Sequence, residues 1–231
     1  MATAWAAFWH VFHIGQGWTE DAAGASTQAS ILSLRAIRLD PDNAEALAIY
    51  GHLCSFLNRD FSTALYYFER ALRLNPNLGL AWALSAATHC YVGAPEAALA
   101  CLDRYREHAP FDPYFGFFET IYTNAYTLVG AYEQAVRVGR RVMRANPDFV
   151  NGYKALLASL GHLGQIGEAA RYRGLLASRE PDFSIERFVK TYPFRRDADR
   201  QRYAEGLRLA GVRESEAAPA RTSSGLKPGE S

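Results

Sequence analysis

Five prolines recur at nearly constant spacing: Pro41, Pro76, Pro110, Pro147 and Pro181 stand 35, 34, 37 and 34 residues apart. Each closes the same kind of mark: Leu39-Asp40-Pro41, Leu74-Asn75-Pro76, His108-Ala109-Pro110, Ala145-Asn146-Pro147 and Arg179-Glu180-Pro181. A period of this length is one supersecondary unit, too small to bury its apolar face alone, so several must stack. Proline stops a helix and redirects the chain. Inside the intervals, Asn58-Arg59-Asp60 and Gly93-Ala94-Pro95-Glu96 combine a helix stop with an acidic restart. Each interval therefore reads as a helical hairpin. Two helices that cross closely need a small residue at the crossing, and Ala64, Ala98, Ala135 and Ala169 supply it.

The register within the units is more specific. Ala64, Phe68 and Ala71 precede Pro76 at fixed offsets; Trp82, Gly93 and Ala98 precede Pro110; Gly130 and Ala135 precede Pro147; Gly164 and Ala169 precede Pro181. Over about residues 28–181 this pattern resembles the tetratricopeptide repeat family. The resemblance implies an all-α, right-handed superhelical solenoid of stacked hairpins. It divides the chain into a degenerate first hairpin (1–41), four repeats within 42–181 (about 44–76, 79–110, 113–147 and 150–181), C-terminal capping helices (182–213) and a tail (214–231) too poor in large apolar residues to fold. More narrowly, the stretches 46–52 and 68–76, with the ending Tyr192-Pro193-Phe194-Arg195-Arg196 and 203–212, are similar to the C-terminal repeat regions of bacterial regulators. The N-terminal half of those proteins is a class III adenylate/guanylate cyclase or a winged-helix DNA-binding domain. Neither half is present here, so the resemblance implies the repeat module alone.

Departures from the period locate its special regions. The first unit carries a helix over Ala2–Ile14, a long polar stretch to Ser26, and a second helix to Leu39. One extra residue precedes Asp60, and three more fall near 111–118. Beyond Pro181, Ser184 can cap a helix reaching Tyr192, and Asp197 can start another reaching Ala210, with Gly211 as its stop. At the other end Trp5, Phe8, Trp9 and Phe12 recur at helical spacing and are expected to pack inward on the next helix. That orientation leaves Ala4, Ala7 and Val11 as an uncovered apolar edge, and predicts self-association or docking through residues 1–14.

The chemistry-bearing residues are sparse. Twenty-five basic side chains balance 24 acidic ones, which suits neither nucleic acid nor an anionic membrane as partner. The excess of Lys and Arg over 186–213 reads as a solvated helical surface. Cys54, Cys90 and Cys101 are too scattered for a disulfide framework and fit a cytoplasmic protein with buried thiols. His10 and His13 lack a third ligand at metal-binding spacing. The run 161–167 has glycines without phosphate-loop spacing, and no nucleophile elbow is present. The expectation is a non-enzymatic chain with no metal and no cofactor.

Binding is then the remaining task. In the resembled family the concave groove is lined from the first helix of each repeat. Carried over by register, these positions are Glu45, Ala48, His52, Ser55 and Phe56; Leu80, Ala83, Ala87, Cys90 and Tyr91; Phe117, Thr120, Asn124, Thr127 and Leu128; and Asn151, Lys154, Ala158, Gly161 and His162. Asn124 and Lys154 are too few to clamp a peptide carboxylate, as the chaperone-binding relatives do. The set is small, apolar and aromatic, which suits an amphipathic helix from a protein or peptide partner. The leading expectation is a protein-interaction scaffold that docks a partner or an effector half. The alternative is a ligand-sensing module with a small molecule in the groove.

Overall fold

The computed structural model describes residues 2–112 and 114–215, and the described residues form helices without strands. Five hairpins follow one another: α1 (Ala2–Gln16) with α2 (Ala22–Leu39), α3 (Ala44–Phe56) with α4 (Phe61–Leu74), α5 (Gly79–Val92) with α6 (Pro95–His108), α7 (Phe115–Val129) with α8 (Tyr132–Ala145), and α9 (Val150–His162) with α10 (Ile166–Arg179). The short α11 (Ile185–Thr191) and α12 (Asp197–Leu209) complete the chain. Most of the tail, 216–231, lies outside the described residues. No described helix is long and apolar enough to cross a membrane.

Local chemistry sets the helix ends. Asn43, Asp60 and Ser184 accept hydrogen bonds from the backbone N–H groups of Ala46, Thr63 and Arg187, satisfying donors that a helix leaves free. Gly93 and Gly130 end α5 and α7 in the left-handed region, at φ +80° and +82°, where a side chain is strained. The hairpins then stack in sequence: α5 packs on α3 and α4, α7 on α5 and α6, and α9 on α7 and α8. Ala64, Ala98, Ala135 and Ala169 are fully buried, and Phe68 and Ala71 fill the space beside the first of them. A hydroxyl pair joins α3 to α5, Thr88 donating to Ser55 at 2.9 Å, and another joins α7 to α9, where Thr127 and Ser159 lie 2.8 Å apart.

The repeat prolines have a second role beside ending helices. Six residues after Pro76, the Trp82 indole N–H donates to the proline carbonyl at 2.8 Å. Six residues after Pro147, the Tyr153 hydroxyl donates to that carbonyl at 2.6 Å. Trp82 is partly buried, its ring lying parallel to His108 at 6.5 Å. It packs against the core with part of its surface exposed.

Three local features depart from the sequence reading. Helix α2 begins at Ala22, earlier than Ser26, because Asp21 caps it by accepting from the Gly24 N–H at 2.8 Å. The extra residue before Asp60 is absorbed at Arg59, which adopts φ +55° and donates to the carbonyls of Lys190 and Thr191. The largest change is in α1, whose two faces are reversed. Ala4, Ala7 and Val11 are at most 1% exposed and pack against α2 and α3, whereas Trp9 is 58% exposed. Indole and phenyl rings would hold α1 away from its partners; the small face permits the close crossing used throughout the repeats. The edge expected to self-associate is therefore the edge that is covered.

The C-terminal pair covers more than the last hairpin. Helix α12 lies along α9 and reaches back to α7. Gly161 and Gly206 make that crossing possible, because a Cβ on either would collide with the facing backbone. The Arg195 N–H donates to the Tyr91 carbonyl, and the Arg196 guanidinium donates to the Gly93 carbonyl.

Two measurements check this packing. Ala7→Glu, which buries an unpaired charge, should cost about 3 kcal/mol or more in chemical denaturation. Trp82→Ala should cost about 2 kcal/mol, below the range for a fully buried tryptophan, because part of the ring is already exposed.

Candidate binding site

The first helices α3, α5, α7 and α9 present their inner faces to the concave side, and α1 lies across that side. With its small face on α2 and α3, α1 turns Trp5, Phe8 and Phe12 into the channel. Phe12 meets Phe117 edge-on at 5.6 Å and lies parallel to Phe149 at 6.3 Å. Trp5 stacks on Tyr114, a residue of the insertion before α7, and donates its indole N–H to Glu45 at 3.2 Å. Asn151 donates to the Gly15 carbonyl at 2.9 Å, tying α9 to the end of α1 across the opening. The opposite flank is closed by Tyr192, which packs edge-on against Tyr91 at 5.6 Å and accepts from Asn124 at 3.3 Å. Between these walls lies a chamber of about 470 Å³. Trp9 and Trp18, both more than half exposed, also line it.

The family-derived groove positions divide in two. His52, Phe56, Ala87, Tyr91, Phe117, Thr120, Asn124 and Asn151 line the chamber. Leu80 and Ala83 instead pack in the core between helices, as do Ala48, Cys90, Leu128 and Ala158. Lys154 points away from the chamber: its ammonium lies 3.1 Å from Glu180, donates to Asn151 at 3.0 Å and sits over the Phe183 ring. Its burial pulls the ammonium pKa down, and Glu180 opposes the shift. His162 is covered by α12, stacked on Tyr132 at 4.3 Å and donating to the Arg202 carbonyl at 2.8 Å. Half of the chamber wall thus comes from outside the repeat register. Trp5, Phe8 and Phe12 were visible as a stripe and assigned the wrong direction; nothing local marks Phe149 or Tyr192.

The lining is uncharged. Among the described residues around the chamber there is no carboxylate, ammonium or guanidinium. His52 lies parallel to Phe56 at 5.6 Å and near Phe8 at 6.1 Å, and burial pushes its pKa down from 6.5 to about 4. Its imidazole is neutral near pH 7. Both amide atoms of Asn124 are engaged, one by Tyr192 and the other by the Tyr203 hydroxyl at 2.8 Å. Three buried polar atoms of the lining have no protein partner: His52 Nδ1, Thr120 Oγ1 and Gln16 Oε1. The three cysteines carry no activated thiol, because burial raises each pKa. No group of three potential metal ligands occurs among the described residues. Such a site can hold a molecule by shape and apolar contact.

The stacked hairpins, buried crossing alanines and proline-terminated units define a tetratricopeptide-type helical solenoid. The fold is shared with a solved structure of PilW, described as a widely conserved type IV pilus biogenesis factor. The two match with a TM-score of 0.61 at 18% identity, over 81% of this chain and 82% of PilW. At that identity the likeness is one of fold. No family model and no curated protein matches the sequence.

His52 gives the site a measurable signature. A folded-state pKa below the unfolded value means that stability is fully present above pH 6.5 and falls as pH drops toward about 4. The loss should approach about 3 kcal/mol, and His52→Phe should remove that part of the acid sensitivity. Denaturant titration at several pH values, with NMR titration of the imidazole, measures both.

Proposed function

We propose that this chain is a non-enzymatic recognition module whose working site is the chamber: it takes up a compact, largely apolar guest and presents the occupied form to a protein partner. One observation carries the reading. The chain's own α1 and its C-terminal segment occupy both flanks of the concave channel. A partner helix laid along α3, α5, α7 and α9 would collide with Phe8 and Phe12 on one side and Tyr192 on the other. What remains has the volume of a small-molecule site rather than of a peptide groove. Protein recognition then belongs to the outer surface. The resemblance to repeat regions of bacterial cyclases and winged-helix regulators supplies a context, in which such a cytoplasmic module informs an effector domain of the state of its chamber. A task like that of PilW, pilus biogenesis, would instead use a partner segment that displaces α1.

Thermal shift separates these alternatives, because a ligand that binds only the folded form raises its stability, by about 2.7 kcal/mol at one hundred times its Kd. A panel of small aromatic compounds is compared with amphipathic helical peptides. Compounds should raise the parent Tm by several degrees and leave Ala87→Phe, whose ring fills the chamber, unmoved. Shifts by peptides alone, or equal shifts in parent and variant, would remove the chamber as the working site.

A further inference from the structure

Resting on that reading, we infer that the guest is an uncharged, flat ring compound carrying a hydroxyl, amide or carbonyl group that bonds to Thr120, His52 or Gln16. The walls set its shape. His52 lies parallel to Phe56, with ring planes 12° apart, and Phe12 parallel to Phe149, at 5°. Flat faces of this kind accept another flat ring by offset stacking or edge contact.

The lining sets the charge. A guest ion loses its hydration on entry, and the described lining offers no opposite charge to replace it. The aromatic rings could attract a cation. The acid beside them, Glu45, is already engaged by the Trp5 indole N–H. Anions fare worse, since the His52 imidazole resists protonation and no other cation faces inward.

The unpartnered polar atoms set the functional group. Thr120 and Gln16 are only 4% and 5% exposed, yet Thr120 Oγ1 and Gln16 Oε1 meet no hydrogen-bonding group of the protein. His52 Nδ1 is in the same position. Some hydroxyls of the repeat find partners, as Ser55 with Thr88 and Thr127 with Ser159 show. Other buried polar atoms of the fold lack partners too, Thr123 Oγ1 and His13 Nε2 among them, but Thr120, Gln16 and His52 line the chamber. Buried polar groups are ordinarily satisfied, and a polar group on a guest can satisfy one of them. Hydroxyl and imidazole can each donate or accept, so a hydroxyl, amide or carbonyl is suitable where a plain hydrocarbon is not.

The test uses the full chain and three matched probes. N-phenyl-1-naphthylamine is uncharged; 8-anilino-1-naphthalenesulfonate has the same ring system with a sulfonate added; phenyltrimethylammonium is the cationic competitor. Fluorescence titration should show the uncharged probe binding at least tenfold more tightly than the sulfonate, and Ala87→Phe should abolish its binding. 2-Naphthol should displace it at several-fold lower concentration than naphthalene, and the isosteric Thr120→Val combined with His52→Phe should erase that advantage. Should the double variant fail to fold, Thr120→Val alone should reduce it. Equal or tighter binding of the sulfonate, better displacement by the ammonium, or an undiminished naphthol advantage would overturn this assignment while leaving the chamber as a binding site. Probe binding unaffected by Ala87→Phe would instead count against the chamber itself.

Discussion

Two helices can approach closely only where neither brings a large side chain to the contact, and this constraint decides which face of each hairpin helix meets its partner. In the repeats it fixes Ala64, Ala98, Ala135 and Ala169 at fully buried crossings. In the first hairpin it brings Ala4 and Ala7 against the neighbouring helices, and the aromatic face of α1 is left to point elsewhere. The same rule, carried to glycine, lets α12 lie on α9 through Gly161 and Gly206. The aromatic chamber is thus a consequence of backbone packing: small residues made the contacts, and the rings were directed into the channel they enclose.

A solenoid is usually held by contacts between neighbours alone. Here the ends of the chain add distant ties. Asn151 binds the Gly15 carbonyl, Arg59 binds the carbonyls of Lys190 and Thr191, and Tyr203 binds Asn124. These bonds run across the concave side, so opening the channel would break several of them together. They favour a site of fixed volume over a groove that adapts to long partners.

Charge is kept away from that volume. Glu119, only 3% exposed, is paired with Arg106 and with Arg141, tying α7 to α6 and α8 on the outer layers. Arg140 and Glu168 join α8 to α10, and Arg179 and Asp148 pin the loop before α9. Lys154, the cation that the repeat register had assigned to the groove, is turned to Glu180. The result is a neutral interior inside a charged shell, as a guest without charge requires.

The amino-acid sequence by itself determined the hairpin period, the crossing alanines, the capping residues and the turn glycines, because each acts within a few residues of its own position. It also placed His52, Phe56, Tyr91, Phe117 and Thr120 on one side of the first helices, since that follows from helical periodicity and the repeat register. Which face of α1 turns inward was not legible from its pattern. Both faces are apolar, and hydropathy cannot choose between them; the spacing of α1 from α2 and α3 made the choice. Nor could local pattern show that Tyr192 and Phe149 would meet the aromatic stripe of the first helix. Their positions depend on the accumulated rotation of five stacked hairpins, a property of the tertiary structure that no segment carries alone.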